Sequence, residues 1–77
     1  MQDLEVVISG LLPVPRASES RNRRIRQMNA WLESWCRGQG FRFLDHWDLF
    51  WGRGDLFKRD GSHLNWRGTN ILAGRFA

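Results

Sequence analysis

The chain has 77 residues; 42% are hydrophobic, and 12 Lys or Arg against 8 Asp or Glu give a net charge of +4. This length allows at most one small domain, and the hydrophobic content excludes a disordered tail. The single cysteine excludes an intramolecular disulfide framework, and with two histidines it is too few for a closed four-ligand zinc site without carboxylates.

Neither a basic-then-apolar signal peptide nor a stretch approaching the ~20 apolar residues of a membrane span is found in the sequence. We therefore expect a protein without a membrane span, metal or cofactor, and a cytoplasmic location is favoured.

The first predicted element is a strand over residues 5–10. Val6, Val7 and Ile8 are β-branched in succession, which favours a pleated sheet. Because they do not alternate with polar residues, both faces of the strand are expected to be buried, as in a parallel strand between helices.

A helix is predicted to follow over residues 20–37. Ser18 and Ser20 are candidate N-caps, and Gly38 and Gly40 are candidate C-terminal glycines. Apolar residues recur at spacings of three and four and predict one buried stripe, formed by Ile25, Met28, Leu32 and Trp35.

A second strand is predicted over residues 41–45, where aromatic side chains alternate with others. Residues 46–59 are irregular and predict a long loop that could contain one helical turn. A last helix is predicted over residues 66–76, with Asn65 as its N-cap.

The order strand, helix, strand, loop, helix predicts an α/β fold with two parallel strands and two to three helices. Two such strands need further strands beside them, and the sequence offers no third. Since the first strand starts almost at Met1, we expect a truncated chain whose open sheet edge could pair with another copy.

The most specific local feature is the segment from Asp60 to Gly68, Asp-Gly-Ser-His-Leu-Asn-Trp-Arg-Gly. A carboxylate three residues before a histidine can accept a hydrogen bond from Nδ1 and hold the imidazole in one tautomer. Gly61 relieves the steric restriction of such a turn. The alternative is a purely structural turn, in which Asp60 accepts backbone N–H groups and His63 is solvated.

With its flanking strand and helix, this segment resembles the Asp-x-x-His block that precedes the last helix of SGNH/GDSL hydrolases, closest to the esterase-like domains of vertebrate genomes and some LINE-type retrotransposons. The resemblance covers nearly the whole chain. It implies that residues 1–77 are the C-terminal part of a three-layer α/β/α sandwich with the flavodoxin-like topology. It also implies ester hydrolysis through a serine acyl-enzyme, with His63 as general base, Asp60 orienting it and Gly61 shaping the turn.

The family's Gly-Asp-Ser nucleophile block and its Gly-x-Asn-Asp block are both absent from this sequence. Ser62 occupies the variable position of the motif, and Ser9 lies at the carboxyl end of a strand but lacks the context of a nucleophile. The chain is therefore predicted to carry no nucleophile and to be inactive by itself.

Two alternatives belong to other classes of protein. Residues 16–26 contain five arginines and one glutamate and hold the whole net charge, which would suit nucleic-acid binding. Against it, no aromatic residue interleaves with the arginines before Trp31. The residues assigned to phosphate or nucleic-acid contact in this alternative are Arg21, Arg23, Arg24 and Arg26. The other alternative is a protein-interaction fragment.

Several further residues receive structural predictions. Trp31 and Trp35, four residues apart on one helix, are expected in the core, and Cys36 is expected to be a buried thiol. His46 is expected to pack rather than to bind a ligand. Asp45 and Asp48 could form a loose cation site with it, but their spacing is not diagnostic of one. Three tryptophans are expected either to line a substrate cleft or to be exposed, namely Trp47, Trp51 and Trp66.

Overall fold

The computed structural model describes residues 5–76 and has two parallel strands and three α-helices within them. This confirms the predicted α/β class. The elements are β1 (Val7–Ser9), α1 (Glu19–Gln39), β2 (Arg42–Leu44), α2 (Trp47–Phe50), a 3-10 turn (Gly54–Leu56) and α3 (Trp66–Gly74).

The two strands pair in parallel, with Ile8 opposite Phe43 in the register. The ladder continues beyond the strands, because Gly10 N–H donates to Leu44 O at 2.9 Å and Arg42 N–H donates to Val6 O at 2.9 Å. Each strand is therefore paired on one side within the described residues. Self-association through the other side stays a prediction.

Helix α1 begins and ends at capping residues of the predicted kinds. The Ser18 hydroxyl accepts the Arg21 N–H at 3.1 Å, so Ser18 rather than Ser20 is the N-cap. Gly40 ends the helix with φ of 75°, a left-handed conformation that glycine adopts without a Cβ penalty. The helix is longer than predicted by one residue at its start and two at its end.

The fully buried residues of α1 are not those of the predicted apolar stripe, of which two are half-buried and two are exposed. Asn22, Asn29 and Cys36, spaced seven residues apart, are its buried residues, which confirms the burial of the thiol. Trp31 is 65% exposed, and the predicted core position of Trp31 and Trp35 is wrong. The two indoles stack on each other at the surface, with ring centroids 6.5 Å apart.

The two buried asparagines attach the β1–α1 loop to the helix. Asn29 accepts the Leu11 N–H at 2.7 Å and donates to Leu11 O at 2.9 Å. Asn22 bonds Val14 in the same way, at 2.8 and 2.9 Å. Side-chain amides thus supply partners to part-buried backbone groups of the loop, which explains why polar residues take the inner face.

The hydrophobic core lies among the segments that follow β2. The predicted long loop contains α2, the helical turn that the prediction allowed, and also the 3-10 turn. These segments place Phe50, Leu56 and Phe57 in the core. Apolar residues packed against this cluster are Leu12, Leu64, Ile71 and Leu72. Between residues 5 and 76, none of the helices combines the length and apolar character that a bilayer crossing needs.

Candidate active site

The Asp60–His63 turn is tied to the chain on both of its sides. Lys58 N–H donates to His63 O at 2.8 Å, and Gly61 N–H donates to Lys58 O at 2.9 Å. Phe57 and Leu64 pair as an antiparallel bridge just outside it. The turn is therefore a closed loop with a fixed base and an outward tip.

Within the turn, one carboxylate organises both the backbone and the imidazole. Asp60 Oδ1 accepts the N–H groups of Ser62 and His63 at 2.9 and 3.2 Å. Asp60 Oδ2 lies 2.7 Å from His63 Nδ1. The carboxylate therefore selects the tautomer that carries its proton on Nδ1, which leaves Nε2 as the acceptor.

The accepting nitrogen of His63 faces outward. The His63 side chain is 73% exposed, and no residue between 5 and 76 forms a hydrogen bond with Nε2. An oriented imidazole with a free Nε2 can take a proton from a hydroxyl group brought within hydrogen-bond distance.

Gly61 has two reasons to be glycine. Its φ of 72° is left-handed, a region that disfavours side chains with a Cβ. The Cβ and Cδ of Arg16 lie 2.8 Å from the position that a Cβ on Gly61 would take. The stem of Arg16 thus covers the turn, which connects the β1–α1 loop to the site.

Asn65 anchors the site to the core and starts the last helix, as predicted. Its side chain accepts the Gly68 N–H at 2.9 Å and donates to Asp55 O at 2.7 Å, while its backbone N–H donates to Leu56 O at 3.0 Å. One residue therefore fixes the end of the turn, the 3-10 segment and the start of α3.

The hydrogen bond from His63 is the first cause that lowers the pKa of Asp60 to about 2, followed by the Ser62 N–H. Ordinary aspartates titrate at about 3.9. A folded-state pKa below the unfolded value means that Asp60 contributes stability above about pH 4, and that this contribution is lost as pH falls through about 2.

We expect the Asp60 carboxyl carbon, followed by NMR, to titrate near pH 2, and we expect His63→Ala to move its midpoint up toward the ordinary value. Ser62→Ala is the control, because it keeps the backbone N–H that Asp60 accepts. An unchanged midpoint in His63→Ala would show that the imidazole does not hold the carboxylate.

Within residues 5–76, neither candidate serine hydroxyl forms a hydrogen bond with the His63 ring. The Ser62 hydroxyl forms no hydrogen bond to the imidazole within the described range, although the residue is adjacent in sequence. The Ser9 hydroxyl instead lies 2.8 Å from Nε2 of the other histidine, His46. The sequence analysis missed this pair, although the positions of both residues at carboxyl ends of paired strands could have indicated it.

The Ser9–His46 pair has the surroundings of a packed polar contact. His46 is 1% exposed and its ring lies 5.8 Å from that of Phe76. Burial, and then the nearby charge of Arg75, lower the pKa of His46. Among residues 5–76 its Nδ1 has no hydrogen-bond partner, so no carboxylate orients the ring as Asp60 orients His63. His46 therefore packs, as the sequence indicated.

The three tryptophans expected to line a cleft or to be exposed differ in their burial. Trp47 is buried and stacks on Trp51, whereas Trp66 is 75% exposed at the start of α3. Groups of three or more metal-ligating side chains are absent from the part of the chain that the structure describes, and the loose cation site beside His46 is not formed there.

The fold and the site together define an α/β protein with an oriented Asp–His pair on an outward turn. The chain is similar to the esterase domain of the ORF1 protein from the zebrafish ZfL2-1 retrotransposon, with 36% identity and a TM-score of 0.85. The match covers 95% of this chain and 46% of that one. The chain is therefore a homologue of part of that esterase domain, and the resemblance to a retrotransposon esterase is confirmed. No family model matches it, and neither does any curated protein.

Proposed function

We propose that the chain is the C-terminal portion of an SGNH-type serine esterase domain, with His63 as general base and Asp60 as the residue that positions it. The observation that carries this proposal is the 2.7 Å contact from Asp60 Oδ2 to His63 Nδ1, with Nε2 exposed. The similarity to part of an esterase domain supports a carboxylic ester as substrate.

In this mechanism, His63 Nε2 removes the proton from a serine hydroxyl as its oxygen attacks the ester carbonyl carbon. The imidazolium then gives that proton to the departing alcohol, and the acyl group stays on the serine. His63 next takes a proton from water, which attacks the acyl-enzyme. The imidazolium returns that proton to the serine oxygen as the acid leaves, so both groups are restored. Asp60 stabilises the imidazolium each time it forms.

The serine in this mechanism is proposed to lie outside the 77 residues. Ser62 is held by its backbone to Asp60, and the Ser9 hydroxyl is 2.8 Å from His46 rather than at the Asp–His pair. Triad residues act as a unit, so a base without its nucleophile gives little acceleration.

We therefore expect the purified 77-residue chain to hydrolyse p-nitrophenyl acetate no faster than its His63→Ala variant and to take no label from a fluorophosphonate. We also consider a hybrid, the zebrafish esterase domain in which the matched part is replaced by this chain. The hybrid is expected to hydrolyse the ester and to be labelled by the fluorophosphonate. Serine-hydrolase turnover by the chain alone, lost in His63→Ala, would overturn the proposed inactivity. An inactive hybrid that folds would overturn the proposed role of the Asp–His pair.

A further inference from the structure

The four arginines between residues 21 and 26 lie on two different faces of α1. Arg23 and Arg26 line a cleft of about 160 Å³ together with Trp47 and Trp51. Arg21 and Arg24 are also exposed, but at about 100° per residue they lie on the opposite side of the helix. The fold thus separates a sequence cluster of equal charges into two pairs.

The aromatic half of this cleft comes from the segment after β2. The rings of Trp47 and Trp51 stack, with centroids 5.4 Å apart and planes at 21°. The Arg26 guanidinium carbon lies 5.6 Å from the centroid of Trp47. Trp47 is buried, whereas Trp51 is 49% exposed, so the indole of Trp51 is the one that a ligand can reach.

This arrangement leaves the guanidinium groups able to bind an anion. A guanidinium stacked on an indole keeps its N–H groups at the edge of its plane, where they can donate to phosphate oxygens. Between residues 5 and 76, no carboxylate forms an ion pair with Arg23 or Arg26. Glu19 is the one acidic residue that lines the cleft.

The surrounding charges differ between the two sides of the cleft. A neighbouring cleft shares Arg26 and Trp47 but is lined by three carboxylates, those of Glu33, Asp45 and Asp48. These carboxylates repel phosphate, so an anion is favoured on the side of Arg23. Arg23 belongs to residues 16–26, the segment that carries the whole net charge of +4.

We propose that the Arg–Trp cleft, formed by Arg23, Arg26, Trp47 and Trp51, binds single-stranded nucleic acid. A base stacks on the indole of Trp51, and the adjoining phosphates bind the two guanidinium groups. Bases of any sequence can stack on an aromatic ring, and cationic side chains beside the ring hold the backbone. The aromatic residue that the Arg segment lacks in sequence is supplied by the fold. This site is independent of the proposed Asp60–His63 chemistry.

The first test compares two double variants of the 77-residue chain that remove the same charge. Binding of a fluorescein-labelled 12-nucleotide oligo-dT is followed by anisotropy across a salt series. Arg23→Ala/Arg26→Ala is expected to weaken binding at least tenfold and to reduce the slope of log K against log salt by about 1.4, since two phosphate contacts are lost. Arg21→Ala/Arg24→Ala is the control on the other face. Equal losses in both would overturn the cleft as the site.

The second test concerns the stacked base. Trp51→Ala is expected to weaken oligo-dT about tenfold, whereas Trp66→Ala, which removes another exposed indole, leaves binding unchanged. An abasic strand of the same length is expected to bind as weakly as oligo-dT binds to Trp51→Ala. Equal affinity of the abasic strand would overturn stacking. Binding of dTMP as tight as that of the strand would assign the cleft to free nucleotides and overturn the proposal.

Discussion

Replacing His63 with alanine is expected to reduce the turnover of the hybrid esterase on p-nitrophenyl acetate by about 10³-fold to 10⁴-fold. The base is needed at both the acylation and the deacylation steps, and the loss of one member of a catalytic unit removes most of its rate. The exposed Nε2 of His63 makes this residue, rather than the buried His46, the one that a nucleophile outside these 77 residues can reach. The measurement is kcat at saturating substrate.

Replacing the Asp60 carboxylate tests the same assignment in a second way. Asp60→Asn is expected to lower kcat by up to about 10⁴-fold with little change in KM, because an amide cannot fix the Nδ1–H tautomer or stabilise the imidazolium. Asp48→Asn is the matched control, since it removes an equal charge from an exposed position on α2, outside the Asp60–His63 turn. Full turnover in His63→Ala, or an equal loss in the control, would contradict the assignment.

The features that the sequence predicted correctly are those set by neighbouring residues. Ser18, Gly40 and Asn65 cap helices through hydrogen bonds or backbone angles that depend on only a few positions. The Asp60–His63 contact likewise closes over three residues. Such local geometry follows from residue type and spacing, because the chain has few other ways to satisfy the same groups.

The features that the sequence did not predict depend on residues brought together by the fold. Asn22 and Asn29 look like surface positions until the β1–α1 loop lies against them, and they then displace Trp31 and Met28 to the exposed side of the helix. The Ser9–His46 contact joins residues 37 positions apart. Spacing along one helix cannot show which of its faces meets a loop.

The same argument applies to the nucleic-acid alternative. In sequence, the four arginines between residues 21 and 26 have no aromatic residue among them, and the four are equivalent. In the structure, Trp47 and Trp51 lie beside Arg23 and Arg26 and not beside the other pair. The charge cluster could be found from composition, but the division of its faces required the position of α2.

Gly68→Ala is expected to destabilise the chain by about 1–3 kcal/mol, although alanine favours helices over glycine. Gly68 is buried in the first turn of α3, and a Cβ there would collide with the backbone oxygen of Leu56 and lie 3.0 Å from Leu64 Cδ2. That oxygen also accepts the Asn65 N–H. The substitution therefore displaces the group that joins the last helix to the 3-10 segment. The measurement is urea unfolding followed by circular dichroism at 222 nm.

Gly74→Ala is the matched control on the same helix. Within residues 5–76, no atom beyond its chain neighbours and the helix's own backbone lies within 4 Å of the position its Cβ would take. The substitution therefore adds helix propensity without a collision and is expected to raise stability by up to about 1 kcal/mol. If the free energy of unfolding falls in Gly68→Ala and rises in Gly74→Ala, the effect of packing is separated from that of helix propensity. A stabilised Gly68→Ala variant would mean that α3 does not pack on the Leu56 carbonyl. Asn65 holds the Asp60–His63 turn through that same carbonyl, so the turn would then lose its anchor as well.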